Sequence, residues 1–214
     1  LESLELDEPR EDELLVRIVA AGVCHTDLFA PLRFALPAVF GHEGAGIVER
    51  VGAGVAGFEP GDRVALTFGS CGSCRNCAKG APAYCMDGHR LQFGGARADG
   101  TPTLREPGGG IVHGAFFQQS SFATHVLATA RNAVRIPDAL PFHLAAPLGC
   151  GIQTGAGAIL NTLACPAGAS LAVFGAGSVG LSAVMAARLA GCSPVIAVDL
   201  LPARLELARE LGAT

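Results

Sequence analysis

The clearest chemistry in this 214-residue chain lies in Cys71-x2-Cys74-x2-Cys77-x7-Cys85. Four thiols this close on one lobe suit the closed tetrahedron of soft ligands that Zn²⁺ takes in a structural site. Gly72 and Gly80 let the chain wrap an ion. An iron–sulfur cluster also takes four cysteines, and the spacing alone does not exclude it. Paired disulfides are disfavoured, because the eight cysteines come with no secretory signal. Zinc is the preferred reading. Cys165 and Cys192 have no partner motif and read as structural thiols.

A second motif, Gly175-Ala176-Gly177-Ser178-Val179-Gly180, fits G-x-G-x-x-G. Alone it is weak, since glycine-rich loops are common. Here it follows an apolar strand candidate and opens a helix candidate. Gly175 permits the tight turn, Gly177 lets the backbone approach a pyrophosphate, and Gly180 lets helix and strand pack closely. The helix N-terminus offers free N–H groups to the phosphates. Asp199 lies 19 residues after Gly180, at the end of the next strand. A carboxylate there accepts from ribose hydroxyls and repels a 2′-phosphate, which favours NAD over NADP.

A third set is scattered. Cys24, His42 and Cys150 sit in Gly22-Val23-Cys24-His25-Thr26-Asp27, Gly41-His42-Glu43-Gly44 and Leu148-Gly149-Cys150-Gly151. A catalytic zinc needs three protein ligands and an open position. Cys/His/Cys is chemically suitable, but spacing does not link the three.

The elements that must position these residues fall into two kinds. Residues 14–19, 46–52, 60–64, 123–128 and 133–136 read as short strands with irregular turns, which suggests a small barrel-like or sandwich-like unit. Residues 94–114 are Gly-rich and polar and read as an exposed loop. The character changes near Cys150. A helix over 154–163, a strand over 170–174, a helix over 178–190, a strand over 194–198 and a helix over 202–211 make a parallel α/β unit. Pro202 stands in the first turn of the last helix, and Gly212 follows it. No Asp, Glu, Lys or Arg occurs between Asp138 and Arg188. Prolines and glycines break that run too often for a membrane span, so it reads as elements buried on both faces. The fold class expected is α/β plus β. The net charge of -4 gives no reason to expect nucleic acid or an anionic membrane as partner.

Taken together, these segments resemble the zinc-containing medium-chain alcohol dehydrogenases. The likeness rests on 22–27, 41–46, the four-cysteine lobe, 116–123, 149–155 and 173–180, nearly the whole chain. Within the family it is most similar to the aryl-alcohol (benzyl-alcohol) dehydrogenases, partly through Phe116-Phe117-Gln118-Gln119-Ser120-Ser121-Phe122. The resemblance implies a GroES-like catalytic domain over 1–150, with the structural-zinc lobe at about 71–85, and a partial Rossmann domain over 151–214. It implies two zinc ions per intact chain, with Cys24, His42 and Cys150 on the catalytic one. Glu43 would stand behind the metal, Asp27 would hydrogen-bond the ligating imidazole, and Thr26 would take the alcohol proton. His25 would lie near the pyrophosphate, Thr154 and Val179 beside the nicotinamide, and Arg204 near the adenosine ribose. The reaction implied is hydride transfer between a primary alcohol and NAD, giving the aldehyde, in a cytoplasmic homo-oligomer, a dimer or tetramer when full length.

Some positions depart from the family. Phe29 stands where many members have a proton-relay histidine. The segment 30–37 is about three residues short, and Phe29 and Phe34 either line an aromatic site or belong to the core. The chain starts at Leu1 rather than Met and stops on a helical segment, so it reads as a piece lacking its start and its C-terminal part. The intact parent is expected to be active and the piece alone inactive. Two other readings remain: an S-(hydroxymethyl)glutathione/formaldehyde dehydrogenase of the same family, and a non-catalytic zinc- and nucleotide-binding module.

Overall fold

The computed structural model describes residues 1–214, which form two compact units, Leu1–Gly149 and Cys150–Thr214. In the first unit the strands are β1 (Glu5–Leu6), β2 (Glu13–Gly22), β3 (Glu43–Val51), β4 (Arg63–Leu66), β5 (Leu104–Arg105), β6 (Ile111–Val112), β7 (His125–Thr129) and β8 (Ala133–Arg135). Short helices punctuate them: α1 (His25–Phe29), α2 (Arg75–Ala78), α3 (Gly88–Phe93) and α4 (Phe142–Ala145). Five strands form an antiparallel sheet in the order β7-β2-β3-β4-β8. Side chains two apart on a strand share a face. Leu14, Val16, Val48, Val64, Leu66 and Val126 are accordingly buried together as the core of this sheet. Each such side chain contributes about 1.5–3 kcal/mol relative to an exposed one.

The second unit runs α5 (Gly151–Gly157), β9 (Leu171–Phe174), α6 (Ser178–Leu189), β10 (Val195–Val198) and α7 (Pro202–Leu211). Strands β9 and β10 pair in parallel, with Leu171 opposite Val195. A single π-turn over Ala158–Thr162 continues α5, so the helix expected at 154–163 starts earlier and changes pitch. Helix α6 is rich in Ala, Leu and Val and ends before Gly191 at φ +77°. Its Val184 and Ala187 pack with Val195 and Ile159.

The first of two sequence expectations that fail in part is the reading of 94–114 as an exposed loop, whose residues are exposed at 98–100 and 105–111 but not throughout. That segment contributes β5 and β6 to a second sheet with β1. It also buries Arg97, Thr103, Leu104 and Val112. The Arg97 guanidinium donates to both Glu13 oxygens at 2.7 and 3.0 Å and to Asp7 Oδ2 at 2.7 Å, and also to the carbonyls of Pro102 and Glu8. Strands of two residues carry too little alternation to be seen in sequence, and a buried ion pair looks polar on the page.

The second concerns the apolar run after Asp138. One face of the β9–β10 sheet is covered by helices, but Phe174, Ile196 and Val198 on the other face are exposed, Phe174 at 81%. The strands lack polar alternation, and only one layer of helices covers them. Cys165 and Cys192 meet in the core of this unit, where burial and then the neighbouring Cys165 push the Cys192 thiol up. No helix is long and apolar enough to cross a membrane.

Candidate metal centres and dinucleotide loop

The lobe builds its site from one short stretch. Ligand atoms of Cys71, Cys74, Cys77 and Cys85 all lie within 4.8 Å of one another. Cys74 caps α2, which carries Cys77, and Gly72 and Gly80 turn the chain at φ +73° and +75°. Backbone N–H groups point at sulfur: Cys74 N–H donates to Cys71 Sγ and Cys71 N–H to Cys85 Sγ, both at 3.3 Å. The N–H groups of Ser73 and Cys74 pull the Cys71 thiol down to about 6. Burial, followed by the neighbouring thiols, pushes Cys77 up to about 12. Four sulfurs in this space, one of them already anionic near neutral pH, fit a tetrahedral zinc.

The scattered residues also meet. Ligand atoms of Cys24, His42, Glu43 and Cys150 lie within 4.8 Å of one another. Cys24 is the N-cap of α1, and His42 and Glu43 lead into β3. Cys150 is joined directly to Gly149, whose carbonyl accepts the Thr67 hydroxyl at 2.9 Å. His42 is 1% exposed. The buried Asp27 carboxylate sits 2.8 Å from His42 Nδ1 and accepts the N–H groups of Cys24 at 3.0 Å and Gly41 at 3.1 Å. With Nδ1 engaged by Asp27, a metal would be met by His42 through Nε2. Burial opposes protonation of His42, but the Asp27 carboxylate, together with Cys24, outweighs it and holds the imidazole above its usual value. Burial also opposes the Cys24 thiolate. The N–H and hydroxyl of Thr26, with His42, outweigh that and hold the thiol below its usual range. Glu43 packs so tightly on Gly22 that a Cβ there would lie 2.1 Å from Oε2. Two thiolates, an imidazole and a carboxylate suit Zn²⁺ by donor type.

A cavity of about 830 Å³ is lined by His25, Thr26, Phe29, Phe34, His89 and Phe93, among others. Phe34 therefore serves both readings offered above. It faces the cavity and packs edge-to-face on Phe40 and Phe116, with centroids at 5.4 and 5.5 Å. Phe117 stacks on the His42 ring at 4.5 Å. In the sequence Phe117 and Gln119 stand only as members of the 116–122 stretch, with no role of their own, whereas the structure sets Phe117 on the His42 ring and Gln119 against the His42 carbonyl. The only signal was two amides set among aromatics in 116–122.

In the second unit, Gly175 has φ +95°, and its N–H donates to Val198. A Cβ on Gly180 would lie 1.8 Å from the Gly175 carbonyl, so only glycine fits. Beside Gly177 a Cβ would meet nothing, which leaves open space at the N-terminus of α6. Asp199 Oδ2 accepts the Ala176 N–H at 2.7 Å, Oδ1 accepts the Leu201 N–H at 2.9 Å, and Arg204 stands 3.6 Å away. The Leu201 and Ala176 N–H groups hold the Asp199 carboxyl below its ordinary range. Thr154 hydrogen-bonds the Cys150 carbonyl, and Val179 is half-exposed at the start of α6. The open space beside Gly177, the N–H groups and the anionic Asp199 fit a dinucleotide with a free 2′-hydroxyl.

A β-rich unit with two sulfur-containing clusters, followed by a parallel α/β unit with this loop, defines a GroES-like domain joined to Rossmann-type structure. The chain belongs to the alcohol dehydrogenase GroES-like domain family, which matches residues 10–138. Among curated relatives it is 50% identical to a geraniol dehydrogenase of Castellaniella defragrans over all of this chain and 58% of that protein. An alcohol dehydrogenase zinc-binding domain protein from Burkholderia ambifaria superposes with TM-score 0.97 at 55% identity, over 100% of this chain and 58% of that one. Benzyl alcohol dehydrogenase from Acinetobacter calcoaceticus superposes with TM-score 0.93 at 47% identity, over 99% and 57%. The chain thus spans somewhat over half the length of these proteins.

Proposed function

We propose that the protein is a zinc- and NAD-dependent dehydrogenase that converts a primary alcohol of benzyl type to its aldehyde. The observation that carries this reading is the Cys24/His42/Glu43/Cys150 cluster beside Thr26, a residue of the aromatic cavity wall. Zinc held by Cys24, His42 and Cys150 would supply Lewis acidity, and NAD held by the Gly175–Gly180 loop would supply a hydride acceptor.

The chain's own residues do the rest. Thr26 Oγ1 lies 3.8 Å from Cys24 Sγ and borders the cavity, which supports a role for its hydroxyl in taking the alcohol proton. Phe29 offers no onward relay. The proton leaves through water or past His25 or His89, which line the same cavity. Asp27 orients His42 and, through the Cys24 N–H, the first ligand loop. Glu43 would add a carboxylate donor beside the three residues that would hold the zinc. Phe29, Phe34 and Phe93 give an apolar, ring-lined wall suited to a planar unsaturated alcohol. The Acinetobacter benzyl alcohol dehydrogenase and the Castellaniella geraniol dehydrogenase support unsaturated primary alcohols as the class.

The test is metal analysis and turnover of the full-length protein. Two zinc ions per chain and NADH production from benzyl alcohol are expected. Faster turnover of S-(hydroxymethyl)glutathione would move the assignment to formaldehyde metabolism. A single zinc on the four cysteines with no turnover would leave a binding module.

A further inference from the structure

Residues 115–120 follow a backbone path that residues with side chains avoid. Ala115, Phe117, Gln118 and Ser120 have φ of +52°, +52°, +60° and +54°. Left-handed backbone at four non-glycine positions persists only where the surroundings over-determine it. Several bonds supply that constraint. Phe116 is fully buried, and its N–H donates to Ser120 Oγ at 2.9 Å. Ser120 Oγ donates to the Val39 carbonyl at 2.7 Å. The N–H groups of Ser121 and Phe122 donate to the carbonyls of Gly41 and Phe40, both at 2.9 Å.

The path turns Gln119 inward, to 2% exposure. Its Oε1 accepts the Gly44 N–H at 3.0 Å. Its Nε2 donates to the His42 carbonyl at 2.9 Å and to the Thr67 carbonyl at 3.2 Å. Two of these bonds bracket Glu43. The third reaches Thr67, whose hydroxyl holds the carbonyl of Gly149, the residue before Cys150.

We propose that Gln119 is a positioning residue for the Cys24/His42/Glu43/Cys150 cluster: one amide braces the main chain that presents His42, Glu43 and, through Thr67, Cys150. It rests on the metal reading above. Gln119 touches none of the ligand side chains in this way, so its effect is on their spacing. Gln119→Glu keeps the acceptor, loses both donors and turns a negative charge toward two carbonyl oxygens. Gln119→Asn keeps the chemistry but is one methylene too short to span all three partners.

The experiment uses the full-length protein loaded with cobalt(II) as the only metal. Read out are the visible cobalt bands, the rate of cobalt loss to a chelator, and the melting temperature. Ser120→Ala is the comparison, since it loosens the segment that turns Gln119 inward but leaves the Gln119 amide and its three partners in place. In both Gln119 variants the cobalt bands of the Cys/His site are expected to shift, with cobalt loss from that site about tenfold faster. Ser120→Ala is expected to lower the melting temperature, with a band shift and a loss rate clearly smaller than in either Gln119 variant. Wild-type bands and loss rate in either folded Gln119 variant would overturn the proposal, whatever the melting temperature. So would an equal shift in Ser120→Ala. A wild-type protein that takes only one cobalt, at the four cysteines, overturns the metal reading and this inference with it. Two cobalt ions in wild type and no change at Gln119 overturns this inference alone.

Discussion

The two candidate metal clusters solve the same geometric problem in opposite ways. The lobe draws four sulfurs from a single stretch between Cys71 and Cys85, and its donors to sulfur come from that same stretch. The Cys24/His42/Glu43/Cys150 cluster draws on three distant stretches, and its supports come from Asp27, Thr67 and Gln119. A local site depends on its own loop. A dispersed site depends on the whole sheet around it, and this one adjoins a cavity through Thr26. The difference fits a division between holding shape and admitting a reactant.

Asp27→Ala probes the dispersed site most severely. It leaves the N–H groups of Cys24 and Gly41 and His42 Nδ1 without their buried acceptor. A loss of about 3–5 kcal/mol in unfolding free energy is expected, measured by urea denaturation. The lobe should keep its metal in that variant while the protein remains folded. Retention of wild-type stability would mean that the dispersed site does not depend on its buried network.

Thiol reactivity in the metal-free chain gives a smaller contrast. Cys71, held near 6, is mostly thiolate at pH 7, whereas Cys77, pushed to about 12, stays protonated. Alkylation of Cys71 should therefore rise through about pH 6 and then level off, with Cys77 lagging throughout. Mass spectrometry of iodoacetamide-treated protein reads both. Equal rates at the two cysteines would show that the N–H groups do not bias the lobe before metal arrives.

The smallest effect concerns the segment beside the dispersed site. Ala115 is buried at φ +52°, where glycine would relieve backbone strain. That relief opposes the lost methyl burial and the greater freedom of an unfolded glycine. Ala115→Gly should change stability by less than about 0.5 kcal/mol, whereas Gly in the middle of a strand or helix costs about 0.5–1 kcal/mol relative to Ala. A clear loss in thermal unfolding would mean that the left-handed backbone is not strained there.

Legibility in sequence followed the same division. The lobe could be read because its ligands are neighbours in the chain, and the dinucleotide loop because turn, strand and helix are consecutive. Cys24, His42 and Cys150 became connected only through resemblance, since nothing in their spacing records that β3 and the turn after α4 converge. Gln119 was beyond reach for a different reason. Its role depends on a backbone that Ala115, Phe117, Gln118 and Ser120 rarely adopt, and propensity argues against that path. The segment 94–114 was partly misread because its buried charge, Arg97, has partners at Asp7 and Glu13 about ninety residues earlier.

The bare side of the β9–β10 sheet has a practical consequence. Phe174, Ile196 and Val198 form a flat apolar strip on two strands that pair only with each other, so the unpaired edges and the oily face lie together. Such a surface recruits its like from other molecules. For this 214-residue chain handled alone, colloidal behaviour will be set by that strip more than by its modest net charge, and concentration and salt will limit how long it stays dispersed.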